Sequence, residues 1–166
     1  MIETPRLLLR PFRDEDVEPL WEIQGDREAM RFTYCAPSRD ECGHRLREHE
    51  RLRAEHGFAP WVMALRADGR VVGWGGLGID PFEPGWGPEV SYFLHPAQWG
   101  RGLATEVVRA SVAHGFEALA LPAIGAFARP DNAASIRVLE KCGFGLLGWE
   151  PALERNHYEV RRPALG

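Results

Sequence analysis

Gly100 and Gly102 stand two apart in HPAQWGRGLATE, between an apolar run closed by Pro96 and a long stretch with helical spacing. Glycine lets a chain turn tightly and lets a ligand approach the main chain. The first turn of a helix carries free N–H groups and a partial positive charge. Together these form a site suited to a pyrophosphate. A plain strand-to-helix joint uses the same glycines, and on the turn alone that reading stays open. Two other phosphate devices are excluded by spacing: no GxxxxGK(S/T) occurs, and no GxGxxG follows a strand in a βαβ unit. Metal chemistry finds no pattern. His44 and His49 are five apart rather than four, and His95, His114 and His157 are scattered. Cys35, Cys42 and Cys142 lack CxxC spacing, and three is an odd number for a disulfide framework.

The elements that must position this turn follow from hydrophobic period. RLLLRPF reads as a strand, and Asp14 opens a helix through Val17, Leu20, Trp21 and Ile23. From Ser38 to His56 charges crowd around Leu46 and Leu52, which predicts a helix with one solvated face or a helical flap. WVMALR, a turn at Asp68-Gly69 and RVVGWGGLGI predict a hairpin, and Glu89 to Pro96 a further strand. Leu103 to Leu119 has Ala104, Val107, Val108, Ser111, Val112, Phe116 and Leu119 at threes and fours, so one face of that helix is buried. PAIGAFARP reads as a strand. A helix from Asn132 to Cys142 turns Ile136, Leu139 and Cys142 inward and stops at Gly143. FGLLGW and HYEVRR supply two last strands. The six tryptophans are expected in the core or in cleft walls. This order predicts an α/β (α+β) fold: a mixed, largely antiparallel sheet of six to seven strands with about four helices.

The chain has 166 residues, 45% of them apolar and 27% charged, and at ~150 residues per domain it reads as one domain over 1–166. A formal charge of −4 disfavours nucleic acid, which needs clustered cations. No run approaches the ~18 apolar residues of a membrane span, and MIETPRLLLRPF carries acids and a proline where a signal peptide has its apolar stretch. A reducing, cytoplasmic compartment is the expectation.

Three motifs give the chain a resemblance to the GNAT N-acetyltransferases. Trp99-Gly100-Arg101-Gly102-Leu103-Ala104 is similar to their phosphate loop, Gln/Arg-x-x-Gly-x-Gly/Ala, with Trp99 departing at the first place and Gln98 one residue early. The form WGxGxAT is typical of a branch resembling ribosomal-protein alanine N-terminal acetyltransferases, which tends to begin TxRLxLR, here Thr4, Arg6, Leu7, Leu9 and Arg10. Asn132, Ser135, Val138, Leu139, Gly143 and Phe144 match the pattern NxxAxxLYxxxGF, with Leu139 where many relatives have tyrosine.

Acetyl transfer from a thioester to an amine needs the cofactor held, the carbonyl polarised, a neutral amine and a proton for the leaving thiolate. The resemblance implies that Trp99 and the main-chain amides from Gly100 through Arg101, Gly102, Leu103 and Ala104 to Thr105 hold the pyrophosphate of acetyl-CoA. The Thr105 hydroxyl adds to this, a plain helix-start residue being its alternative, and the Arg101 side chain meets a phosphate, an ordinary exposed loop arginine being its own. It also implies that Tyr92, Phe93 and Leu94 pair through their backbone with the pantetheine arm, on a strand splayed from its neighbour. An N–H near Phe93 or Leu94 then faces the thioester oxygen. Asn132 reaches the pantetheine carbonyls, an N-cap being its ordinary role. Ser135 stands at the place of the branch's acid, a serine bonded to its own helix being the alternative. A peptide α-amine costs only about 1 kcal/mol to deprotonate at neutral pH, against about 4–5 for a lysine-like amine. A carboxylate reached through water then suffices as base, and Glu89 and Glu154 are the candidates beside their plain reading as exposed acids. Trp86 shapes the acceptor pocket or a dimer contact. The implied partners are acetyl-CoA and an amine, either a protein N-terminus or a small molecule, with no nucleic acid, membrane or metal; a homodimer is compatible. A non-catalytic acyl-CoA-binding module on the same fold is the rival reading.

Overall fold

The computed structural model describes residues 1–164; residues 165 and 166 of the expected domain lie outside the described residues. Eight strands form one sheet: β1 (Ile2–Glu3), β2 (Leu7–Arg10), β3 (Trp61–Leu65), β4 (Val71–Gly78), β5 (Glu89–Leu94), β6 (Ala123–Ala128), β7 (Gly145–Glu150) and β8 (Arg155–Arg161). Their spatial order is β1-β2-β3-β4-β5-β6-β8-β7. Every pair is antiparallel except β5 with β6, which is parallel. The sheet has one strand more than the upper expectation. β1 is the extra strand, two residues that pair with Leu8 and Leu9 and carry no alternation from which to read them.

Four α-helices cover the two faces: α1 (Val17–Gln24), α2 (Arg39–His56), α3 (Leu103–Ala113) and α4 (Ala133–Lys141). Alternation along the strands divides the core in two. Trp61, Met63, Val72, Leu77, Val90 and Leu94 face α3 and α4. Val62, Trp74 and Phe93 face the other way, against Leu20 and Ile23 of α1 and Cys42 and Leu46 of α2. The period-2 rule produces this: Trp61 and Met63 lie in one cluster, Val62 between them in the other.

α2 is a packed helix rather than a flap. The Ser38 hydroxyl accepts from the Glu41 amide at 3.1 Å, Gly57 closes the helix at φ +86°, and Leu46 and Leu52 bury its inner side. Its charges pair with one another along the solvated face, as in Arg51 with Glu48 and Glu55. α3 is shorter than its spacing predicts. It is α-helical to Ala113 and continues as a π-helical turn over His114–Ala118. That turn widens where Gly115 lies against the sheet, so close that a Cβ would sit 2.6 Å from Ile124. Trp61 and Trp74 are buried as expected, whereas Trp99 and Trp149 are exposed. No described helix is long and apolar enough to cross a membrane.

Candidate functional site

The parallel pair at the centre of the sheet is the origin of the site. β5 registers with β6 only at Glu89–Gly125 and Val90–Ala126, while on its other side it pairs with β4 along its whole length. From Ser91 to Leu94, therefore, no strand hydrogen-bonds to the β6 side of β5. A cleft of about 750 Å³ opens there, lined by Glu89 through Leu94 and walled across the gap by Ala126 to Arg129. The splay expected from the sequence is present in this sense.

One end of the cleft meets the N-terminus of α3. Gly100 and Gly102 adopt φ +72° and +79°, the left-handed region where only glycine is unstrained. Gly102 caps α3, and no side chain satisfies the first amides of that helix, which leaves the N–H groups of Leu103, Ala104 and Thr105 to a ligand or water. Gly100, Gly102, Leu103, Ala104 and Thr105 all line the cleft, as does Trp99. The Trp99 indole donates to the Leu94 carbonyl at 3.1 Å and ties the loop to the end of β5. Arg101 does not line the cleft. Its side chain is exposed and its carbonyl accepts from the Arg6 guanidinium at 2.6 Å.

Arg6 belongs to a cluster that the sequence reading left without a role. Its backbone N–H and its guanidinium both donate to Glu106, at 2.8 Å each, and the Thr4 hydroxyl donates to the same carboxylate at 2.5 Å. Burial alone would push the Glu106 carboxyl up, but these hydrogen bonds and the Arg6 charge outweigh it, so it lies below its ordinary value. The N-terminal TxRL segment is thus the brace behind the glycine turn. The shared signal was spacing within each motif; their contact across 100 residues was invisible.

Along the cleft, Glu89 and Tyr92 come from the same strand. Burial and then the nearby Asp80 charge push the Glu89 carboxyl up to about 7, against the pull of Arg155. The Tyr92 hydroxyl lies 3.0 Å from Ser135 Oγ on α4, and burial raises its pKa despite that hydrogen bond. Ser135 is therefore paired across the cleft rather than bonded to its own helix. Sequence reasoning used Tyr92 only for its backbone and missed this hydroxyl. The available signal was a polar aromatic at an inward position between Val90 and Leu94. Leu139 is 2% exposed in the core, so nothing acidic stands at the place where relatives carry tyrosine. Phe93 is buried beneath Trp74, with ring centroids 5.7 Å apart.

Asn132 lines the cleft and also caps α4, its Oδ1 accepting from the Ser135 amide at 3.2 Å; Asp131 pairs with Arg129 instead. Glu154 is not brought to the site. It sits exposed in the turn between β7 and β8 at φ +52°, beside a separate hollow with Trp149 and Pro130. The turn points Leu153 and Arg155, not Glu154, into the main cleft. Trp86 lines the cleft, held edge-on against Phe127 at 5.1 Å and His157 at 5.7 Å. Over the α1–α2 side, the Arg45 guanidinium lies between the rings of Tyr34 and Phe82, at 4.0 and 3.9 Å, and joins the two loops that roof it. Among the described residues no group of three histidine, cysteine or acidic side chains is placed to hold a metal.

Comparison with known proteins agrees with this architecture. The profile of the Acetyltransferase (GNAT) domain matches residues 6–145. An uncharacterized N-acetyltransferase of Bacillus subtilis, YoaA, is 30% identical over 147 residues, which is 87% of this chain and 82% of YoaA. The fold is shared with an acetyltransferase from Agrobacterium tumefaciens, at a TM-score of 0.82, 24% identity and coverage of 97% and 94% of the two chains. It is also shared with the aminoglycoside acetyltransferase AAC(6')-Ib, solved with coenzyme A, at a TM-score of 0.75, 20% identity and coverage of 94% and 95%. The splayed strands, the uncapped helix behind a glycine turn and the extent of the profile match lead to one conclusion: this chain belongs to the GNAT acetyltransferase family.

Proposed function

We propose that the protein transfers the acetyl group of acetyl-CoA to a primary amine by direct attack within a ternary complex. The observation that carries this reading is a buried carboxyl, Glu89, and a hydroxyl pair, Tyr92 with Ser135, lining one cleft that ends at the α3 amides. The pyrophosphate sits on the N–H groups of Leu103 to Thr105, with Gly100 and Gly102 allowing its approach. The pantetheine arm lies along the open edge of Ser91 to Leu94, within reach of the Asn132 amide, and a β5 amide near Phe93 or Leu94 polarises the thioester oxygen.

The chemistry then balances on named groups. An ammonium entering the cleft gives a proton to the Glu89 carboxylate, directly or through water. The neutral nitrogen attacks the thioester carbonyl; a C–N bond forms, the C–S bond breaks, and its electron pair leaves on sulfur. Ser135, hydrogen-bonded to Tyr92, supplies the proton that makes the thiol; the second proton, shed by the acylated nitrogen, returns to Ser135 through water, and Glu89 releases its own to solvent. A carboxyl with a pKa of about 7 is half ionised at neutral pH, which suits a base that must accept and release a proton each cycle. An acceptor with an α-amine, such as a protein N-terminus, asks least of it, in keeping with the branch to which the WGxGxAT and TxRLxLR segments are similar. The acceptor class is a protein N-terminus or a small-molecule amine.

The test begins with the donor. Acetyl-CoA at a hundred times its Kd adds about 2.7 kcal/mol of stability, worth several degrees in a chain of this size at about 2–4 °C per kcal/mol. ATP and NAD should give no such shift. No shift up to millimolar acetyl-CoA overturns the donor assignment. A shift without thiol release in the presence of alanyl peptides, aminoglycosides or polyamines favours the non-catalytic acyl-CoA-binding reading.

A further inference from the structure

Three side chains on the α1–α2 side of the cleft each carry a buried polar atom without a hydrogen-bond partner: Gln24 Oε1, His49 Nδ1 and Trp74 Nε1. They come from three elements, α1, α2 and β4, and all line the same cavity. Gln24 and Trp74 are 7% and 6% exposed. The His49 ring stands edge-on to Trp74 with centroids 4.7 Å apart. Gln24 ends the helix whose Leu20 and Ile23 pack with Trp74 and Leu46 in one cluster. Buried polar atoms are nearly always paired, and leaving one unpaired costs about 1–3 kcal/mol. Three of them together in an otherwise apolar cluster are a set of contacts awaiting a partner.

The chemistry of the set defines that partner. The Trp74 N–H can only donate, and Gln24 Oε1 can only accept. Burial holds the His49 imidazole at a pKa of about 4, so it stands neutral, with one nitrogen donating and the other accepting. A carboxylate would accept from Trp74, and from Gln24 only with its amide turned to present the NH2. An ammonium would leave Trp74 unpaired, and an alkyl group would satisfy neither. A group that both accepts and donates answers all three as they stand.

Resting on the acetyltransferase reading above, we propose that Gln24, His49 and Trp74 form a specificity subsite for the acceptor. It takes an amide or a hydroxyl carried by the substrate elsewhere than on its reacting amine. The cleft thus selects amines that bear such a group, as in a peptide or an amino sugar, over plain alkylamines. A site built to hydrogen-bond a polar group rejects the analogue that lacks it strongly, because its own buried atoms are then left unpaired.

Indole ¹⁵N–¹H spectra of the full chain test this without any need for turnover. The chain has six tryptophans, and the Trp74 resonance is the one lost in Trp74→Phe. Titration with alaninamide or with glucosamine, in the presence of CoA, should shift that resonance saturably. Isobutylamine should do so at least about tenfold more weakly, the scale of one buried hydrogen bond. The responding arm distinguishes an amide from a sugar hydroxyl. A resonance indifferent to both probes means that water alone occupies the subsite and overturns the proposal, as does an equal response to isobutylamine. Gln24→Leu, checked for folding by its six retained indole signals, should weaken the responding probe about tenfold; unchanged affinity overturns the proposal as well. Failure of acetyl-CoA to shift the thermal midpoint in the same samples would instead remove the acetyltransferase reading and leave the amine titration to stand alone.

Discussion

Glu89 and His49 line the same cleft and burial shifts both toward the neutral form, the acid up to about 7 and the imidazole down to about 4. For Glu89 the consequence reaches stability as well as catalysis. As pH rises from the ordinary 4.5 to about 7, the unfolded chain releases this proton while the folded chain keeps it, so stability falls through that window and stays lower above it. Glu89→Gln should remove the loss, on the order of 1–3 kcal/mol between pH 5 and 8 in urea unfolding; equal slopes in both proteins would contradict the shift. The same variant should lower kcat by about a hundredfold or more and abolish a rise of kcat/KM with pH centred near 7. Ser135 and Tyr92 make a second prediction. If their hydrogen bond delivers the proton to sulfur, Ser135→Ala and Tyr92→Phe each slow turnover at least about tenfold, and the double variant is little slower than the worse single. Multiplying effects would show two independent roles.

At the scale of elements, the N-terminal segment and the glycine turn are one unit. Thr4 and Arg6 converge on Glu106 in the first turn of α3, and Arg6 reaches over to the Arg101 carbonyl. A Cβ at Gly102 would lie 3.4 Å from the same guanidinium. The brace holds the loop with its amides outward before any ligand arrives, and preorganisation of this kind appears in affinity. Arg6→Ala should raise the Kd for acetyl-CoA about tenfold, equivalent to about 1.4 kcal/mol, measured by calorimetry. An unchanged Kd would mean that the loop holds its conformation unaided. Helix α2 shows the opposite case, an element whose sequence carries few apolar residues yet which packs firmly. Its position is fixed by Cys42 and Leu46 against Trp74, and by Arg53 donating to the Pro60 carbonyl at 2.6 Å.

In the whole molecule the sheet separates two cores, and the cleft runs where the central strands part between them. Leu77 is fully buried on the α3 side, near Gly115 and Ile124, far in function from the proposed proton groups. Leu77→Ala should cost about 2–5 kcal/mol, lowering the thermal midpoint by several degrees at about 2–4 °C per kcal/mol. Saturating acetyl-CoA should recover about 2.7 kcal/mol of that at a hundred times Kd; a variant that gains nothing from acetyl-CoA would show that this core also shapes the cofactor site. Local patterns were enough for most elements and for the glycine turn. Alternation and helical spacing are properties of neighbouring residues, and glycines at φ +72° and +79° announce themselves by type. Short β1 has no pattern to carry, and the π turn after Ala113 holds Gly115, whose close approach to Ile124 is a contact between distant residues, so neither was legible. The site divides in the same way. Sequence alone determined which backbone amides stand free at the start of α3, because helix amides and glycines act where they stand in the chain. Only the tertiary structure decided which side chains meet. It set Tyr92 against Ser135 and Arg6 against Glu106, buried Glu89 near Asp80, turned Glu154 out to solvent and gathered Gln24, His49 and Trp74 on one wall. Those pairings depend on the order and twist of strands distant in sequence, and burial, which shifts a pKa or leaves a polar atom unpaired, is a property of the packed molecule.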